Sequence, residues 1–148
     1  MPFRFRLAKV LKVRRRVLEQ RTREVAAAER QFQLCLEHER RLAEACRRLL
    51  AAEPAAAGQV LDVRDLVEQA VSLRRLQDDQ RAAAQVTRAA QLELDRRREA
   101  LTAAWRDVEV LRKLEERRRA EWEAEQRRLE SRQLDEIGGL RAERLRRS

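Results

Sequence analysis

Apolar residues recur in the first third of the chain at the alternating three- and four-residue spacing of a coiled-coil heptad. Thirteen positions between residues 7 and 49 fall on this seam, and ten of them are apolar. The a positions are Leu11, Leu18, Val25, Phe32, Glu39 and Cys46. The d positions are Leu7, Arg14, Arg21, Ala28, Cys35, Leu42 and Leu49. The pattern predicts a helix over about residues 4–52, in which Arg14 and Arg21 carry their charge out to solvent on long stems.

A break in the pattern follows this first helix. Pro54 blocks a continuing helix and Gly58 tolerates a turn, so residues 53–61 are predicted to be a connection. Asp62 has the side chain to cap the next helix, which is predicted over about residues 62–146.

The second helix carries a heptad seam of its own, in which ten of fourteen positions are apolar. Its a positions are Leu66, Leu73, Gln80, Thr87, Leu94, Leu101 and Val108. Its d positions are Gln69, Leu76, Ala83, Ala90, Arg97, Ala104 and Leu111. Beyond Leu111 only Trp122 and Leu129 keep the seam apolar, so packing is expected to weaken there.

The two seams agree with a hairpin within one chain. If the connection centres near residue 57, Phe3 lies opposite Leu111, because both helices rise ~1.5 Å per residue. The second seam turns polar where the first helix has no more residues to offer, which a parallel dimer would not require. The predicted fold class is all-α, a long antiparallel two-helix coiled-coil hairpin in a single domain of residues 1–148, with an extended C-terminal helix.

The extended part of the second helix overhangs the first by roughly 30 residues at ~1.5 Å each. Residues 112–132 carry Glu and Arg at helical neighbour spacing, which stabilises a lone helix by a few tenths of a kcal/mol per pair. Gly138 and Gly139 are expected to weaken its end. Trp122 lies beyond the predicted paired region and is therefore a candidate anchor for another protein.

The composition matches this architecture. Charged residues make up 41% of the chain and aromatic residues 3%, as in long helices and coiled coils. The formal net charge is +9, and residues 1–25 alone hold nine Lys or Arg and two Glu. Such a surface suits an acidic protein partner, nucleic acid or an anionic membrane face.

No arrangement of residues predicts an enzyme or a cofactor. Cys35 and His38 offer two metal ligands on one helix, whereas a zinc site needs three or four. Cys35 and Cys46 both fall on the seam and are predicted to be buried, reduced cysteines. No segment resembles a signal peptide or a membrane span, so the chain is expected to stay in the cytoplasm.

Two other binding functions remain open on the sequence alone. Duplex nucleic acid is one, although Glu residues interleaved with the Arg residues would repel phosphate. Weak contact of residues 3–18 with an anionic membrane is the other, although their apolar side chains are expected to pack on the second helix. Phe3, Phe5 and Trp105 are predicted to gather at the end of the hairpin that holds the chain termini.

Short motifs at both ends resemble the flagellar FliJ proteins. The chain opens with FRFRL at residues 3–7, followed by Val10 and Leu11. Near its end stands QLDEI at residues 133–137, followed by a small residue and then Arg141. The size, the central break and the Trp105 region before a charged helix also resemble this family.

The resemblance implies a non-catalytic stalk of the flagellar type III export apparatus. Its terminal end would enter the ring of the export ATPase, promote ring assembly and coupling, and link the ring to the membrane export gate and to export chaperones. The protein would then lie on the cytoplasmic face of the membrane at the flagellar base. The residues predicted to bind partners are Arg4, Arg6, Lys9, Arg14, Arg15, Arg16, Trp122 and Arg141.

Three interpretations therefore remain: the flagellar stalk, the equivalent stalk of a virulence-type secretion system, and a basic coiled coil that binds nucleic acid. For the stalk, we expect Lys and Arg of the terminal end to meet acidic groups lining the ring. Charges at the edge of an interface set the rate at which the two proteins meet, and a few buried apolar side chains supply affinity.

Overall fold

The computed structural model describes residues 1–52 and 62–148. Two helices account for nearly all of them, α1 (Ala8–Ala51) and α2 (Val63–Arg147). They pack against each other and no strand occurs in these two ranges, which confirms the all-α helical hairpin. The connection predicted at residues 53–61 lies outside the described residues.

Side chains form hydrogen bonds to the backbone at the start of α2 and at the end of α1. The Arg64 amide donates a hydrogen bond of 3.1 Å to the Asp62 carboxylate, so Asp62 caps α2 as predicted. The Gln69 amide group donates a hydrogen bond of 3.3 Å to the carbonyl of Leu49, in the last turn of α1. The final carbonyls of a helix lack a partner within it, so this polar residue of the seam stabilises the end of α1.

The predicted seams are the packed faces of the helices. Leu11 and Cys35 of α1 and Leu94 and Val108 of α2 are buried, and Leu94 is only 1% exposed. Nearly all the other seam positions are buried or half-buried, and the exceptions are Arg14 and Leu66. Burial of one large apolar side chain stabilises by roughly 1.5–3 kcal/mol, so these few residues dominate the pairing of the helices.

The contacts divide the chain into two compact units. We call Glu19–Thr102 the middle unit and Met1–Leu18 with Ala103–Ser148 the terminal unit. Whether the chain acts as a single domain stays a prediction.

An ion-pair network joins the two helices of the middle unit. Arg97 occupies a core position and donates hydrogen bonds to Glu93 at 2.8 Å and to Glu24 of α1 at 3.0 Å. Arg21 donates to the same Glu24 carboxylate at 3.0 Å. The hydrogen bond from Arg21 is the main cause that lowers the pKa of Glu24. Two Arg residues that interrupt the apolar seam thus share one carboxylate between the helices.

The predicted register of the hairpin is wrong by about two helical turns. Glu24 bonds to Arg97 in the middle unit, whereas a turn centred on residue 57 places residue 90 opposite it. In the terminal unit Arg14 reaches Asp107, and Phe3 meets Trp122 where Leu111 was expected. A shift of one heptad leaves the same positions facing the seam, so periodicity alone does not distinguish these registers.

The N-terminus also differs from prediction, because α1 begins at Ala8 and not near residue 4. The Ala8 amide donates to the Phe5 carbonyl at 3.1 Å, which forms a turn ahead of the helix. An extended residue spans about 3.3 Å and a helical one about 1.5 Å, so residues 1–7 reach further along α2 than a helix would. This difference is part of the reason that Phe3 lies against Trp122.

Replacement of Glu24 by Gln should lower thermal stability and make the protein less sensitive to acid. The folded-state pKa of Glu24 lies below its ordinary value of 4.5, so its contribution is present above that pH and is lost as pH falls through the lowered pKa. Thermal unfolding of wild type and E24Q across this acid range, followed by circular dichroism, measures the effect. The exposed Glu99 provides the control as E99Q, and equal pH profiles for wild type and E24Q would contradict the role of the network.

Replacement of Gly138 and Gly139 by Ala should stiffen the end of α2. A Cβ added at either glycine meets nothing within 4 Å, so Ala introduces no clash. The gain in helix propensity is about 1 kcal/mol per glycine. Amide hydrogen exchange over residues 134–147 should slow in G138A/G139A. The matched control is A142G in the same stretch, which should speed exchange, and unchanged protection in both variants would refute the prediction.

Candidate partner-binding surface of the terminal unit

The net charge of the chain resides in the terminal unit. Residues 1–18 hold seven Lys or Arg and no Asp or Glu. The middle unit holds fifteen basic and fifteen acidic residues, so the whole formal charge of +9 falls on the terminal unit. The excess of positive charge is therefore a property of one compact unit.

Four cations of this unit share one face of α1, which we call the basic face: Lys9, Lys12, Arg15 and Arg16. Their three- and four-residue spacing places Lys9, Lys12 and Arg16 on the side of the helix away from Leu11, which is only 4% exposed, and Arg15 at the edge of that side. All four side chains are exposed, and the carboxylates within residues 1–52 and 62–148 form no ion pair with them. The basic face thus presents uncompensated positive charge to solvent.

Arg14 was predicted with Arg15 and Arg16 as a binding residue, but it lies on a different face. It occupies a seam position, and its guanidinium reaches Asp107 of α2 at 3.4 Å. Both side chains are about half exposed, at 49% and 53%, so the charge leaves the seam on its long stem as predicted. Arg14 therefore joins the helices, whereas its two neighbours remain available.

Several acidic side chains of α2 in the terminal unit are engaged by Arg residues of the same helix. Arg112 donates to Glu109 at 3.1 Å and also pairs with Glu116. The hydrogen bond from Arg112 is the main cause that lowers the pKa of Glu109. Arg118 donates to Glu121 at 3.2 Å, which continues the predicted pattern of pairs along α2. These carboxylates are neutralised locally and leave the charge of the basic face intact.

An aromatic contact closes the N-terminal segment onto α2. The rings of Phe3 and Trp122 lie 6.0 Å apart at an angle of 52°, and the Arg119 guanidinium stands 5.4 Å from the Phe3 ring centroid. Trp122 is half-buried by this contact, so the expectation that it lies beyond the paired region is wrong. Its role as an anchor for another protein stays a prediction. Trp105 is 54% exposed and takes no part in the contact.

The other predicted residues lie at two separate places in the unit. Arg4 and Arg6 line a groove between the N-terminal segment and α2, whose floor includes Leu114 and Trp122. Arg141 is exposed near the end of α2. It lies about 28 Å further along the helix axis than Trp122, so the two do not form one binding site.

Two contributors were missed in the sequence prediction. Lys12 belongs to the basic face, and its spacing from Lys9 and Arg16 was the signal that could have revealed it. Arg119 stacks on Phe3 only because residues 1–7 leave the helical path, a feature that the heptad pattern does not contain.

A metal-binding group and a membrane-spanning helix are two further kinds of feature that bear on function. Among residues 1–52 and 62–148, no three His, Cys, Asp or Glu side chains come together in a group that could hold a metal ion. No helix within these ranges is long and apolar enough to cross a membrane. The arrangement presents charge and a few apolar side chains for contact with a partner.

Comparison with known proteins identifies a family that the chain matches. The family model described as "Flagellar FliJ protein" matches residues 3–147, which include the basic face, the aromatic contact and both helices. No curated protein and no solved structure matches the chain. Because the family model spans nearly all of the 148 residues, the protein belongs to the flagellar FliJ family, a family of non-catalytic components of the flagellar export apparatus.

Proposed function

We propose that this protein is the stalk of the flagellar export ATPase. Its terminal unit enters the central opening of the ATPase ring, promotes ring assembly and couples ATP hydrolysis to transport. The same protein links the ring to the membrane export gate and to export chaperones, on the cytoplasmic face of the membrane. The match to the flagellar family supports this role over the equivalent role in a virulence-type secretion system.

The observation that carries the proposal is the location of the charge. The basic face belongs to the terminal unit, which is the part of the hairpin that would enter the ring. Among the described residues its four cations form no ion pair, although Glu19 lies one turn beyond Arg15 and Arg16. Unpaired surface charges accelerate association with a complementary surface and fix its register, while they add less to affinity. An opening lined with acidic side chains is the complementary partner.

The aromatic contact supplies the apolar part of the proposed interface. Phe3 and Trp122 form an apolar patch beside Arg4, Arg6 and Arg118. Aromatic and Arg side chains are over-represented among the residues that dominate binding energies. We therefore assign the affinity for the ATPase chiefly to this apolar patch and the rate of association chiefly to the basic face.

Reversal of charge on the basic face should slow binding to the ATPase. The variant K12E/R15E/R16E leaves the Arg14–Asp107 pair in place, and we expect its association rate at low salt to fall about tenfold or more. The matched control is R74E/R75E/R88E, which makes the same change of charge at exposed sites in the middle unit. Association with the same organism's export ATPase is measured by surface plasmon resonance over a salt series. Equal losses in both variants would count against a specific role for the basic face.

Removal of residues 127–148 tests whether the extended end of α2 is the working end. All of these residues are exposed, so the truncation leaves the Phe3–Trp122 contact in place. We expect the full chain to stimulate ATP hydrolysis and ring formation and the truncated chain to stimulate neither. If the folded full chain does not stimulate the ATPase, the proposed stalk function is refuted. If the chain binds duplex DNA more tightly than it binds the ATPase, the nucleic-acid alternative is supported.

A further inference from the structure

The end of α2 has a face that nothing in the described chain covers. The N-terminal segment contacts α2 as far as Trp122. Every residue from 127 to 148 is exposed, although α2 continues to Arg147. The helix therefore extends well past the last residue that α1 and its N-terminal segment provide for packing.

Five uncharged residues form a stripe along this part of α2, which we call the neutral stripe: Gln126, Leu129, Gln133, Ile137 and Leu140. At 3.6 residues per turn they fall within an arc of about 80°. The same arc contains Ala104 and Val108, both buried in the terminal unit. The face that packs against α1 thus continues as the neutral stripe, where Leu129 is 43%, Ile137 49% and Leu140 60% exposed.

The spacing of the neutral stripe reads the same in both directions. Successive members are separated by three, four, four and three residues, and Gln133 is at the centre. Two antiparallel copies that place Gln133 against Gln133 therefore bring Leu129 opposite Ile137, and Gln126 opposite Leu140. Such a contact is isologous, because the same surface of both copies forms it. The two central Gln side chains can hydrogen-bond to each other across the symmetry axis.

The charges beside the neutral stripe suit this antiparallel register. Arg132 of one copy and Glu136 of the other lie on the same flank of the stripe, two residues or about 3 Å away from being directly opposite. Glu123 and Arg141 are related in the same way on the other flank, and each pair occurs twice by symmetry. All four side chains are exposed and available for these contacts.

One pair of like charges opposes the contact. Glu125 of one copy and Glu143 of the other share a flank of the stripe with the same two-residue offset, again twice by symmetry. Opposite-charge pairs therefore outnumber like-charge pairs two to one along the proposed interface.

The position of the basic face decides between antiparallel and parallel pairing. In a parallel pair the two basic faces would lie side by side and repel each other. In the antiparallel pair they lie at opposite ends, because Asp107, which Arg14 contacts, is 26 residues from Gln133. At ~1.5 Å per residue the separation far exceeds the screening length of about 10 Å at 0.1 M salt.

We propose that two copies of this chain pair antiparallel through the neutral stripe. Three apolar side chains per copy fall well short of the roughly 20–30 residues a side of a standard protein interface, so the dimer is weak and reversible. Pairing covers the extended end of α2 when the protein is free, and a partner helix that binds the same stripe competes with it. The proposal does not depend on the function as a stalk, because it concerns the isolated chain alone.

Cysteine cross-linking tests the register directly. In a C35A/C46A background, Q133C is expected to form a disulfide-linked dimer on mild oxidation several-fold faster than Q126C, because only residue 133 faces its own copy. The reaction is followed on non-reducing gels with the full-length chain. Equal rates for the two variants would indicate parallel pairing or random collision and would overturn the proposal.

Sedimentation velocity from low micromolar to roughly millimolar protein tests the surface itself, since weak dimers form in this range. Wild type is expected to shift towards a dimer, and I137K is expected to remain a monomer. The matched control is L145K, because Leu145 is 77% exposed but lies on another face of α2. R132E is expected to weaken the dimer, and R132E/E136R to restore it.

Each outcome of these experiments bears on the dimer alone. A wild-type monomer at every concentration, or an L145K defect equal to that of I137K, would overturn the proposal. Neither result affects the stalk, which is tested by stimulation of the ATPase. The substituted positions in α2 are exposed except Gln126, which is half-buried, and circular dichroism of each variant confirms that its helices are intact.

Discussion

The structure depends on the burial of a narrow apolar stripe of α2 by a shorter helix. Most of the buried residues, such as Leu11, Leu94 and Val108, lie on this one seam, and there is no second core to replace it among the described residues. The stabilisation per turn is small, because many seam residues are Ala, Cys or Thr with little apolar area. Hydrogen bonds and ion pairs therefore contribute to the pairing of the helices where the seam is polar.

Some polar residues at seam positions bond to specific partners on the other helix. Gln69 bonds to the Leu49 carbonyl, and Arg97 bonds to Glu24. Thr87 bonds to the Ala83 carbonyl within α2 at 3.0 Å. The interhelical contacts join particular residues and not merely equivalent heptad positions. They thus select one register among those that the apolar pattern permits.

The middle unit and the terminal unit differ in how their charges are distributed. In the middle unit basic and acidic residues are equal in number, and several pair across the helices. In the terminal unit several acids of α2 pair with Arg residues of their own helix and Asp107 pairs with Arg14, while the basic face of α1 stays unpaired. A basic face without carboxylate partners is a suitable surface for an acidic partner. The same positive charge disfavours parallel association of two copies.

The sequence by itself determined the all-α hairpin, the seam positions, the Asp62 cap and the basic character of the termini. Each follows from local periodicity or from residue type, which tertiary contacts do not alter. The register and the aromatic contact were decided by the tertiary structure. A heptad shift preserves the seam, and the meeting of Phe3 with Trp122 depends on where the N-terminal segment leaves the helix. The pairing of Arg14 with Asp107 likewise required the tertiary structure, because only the opposing helix supplies that carboxylate.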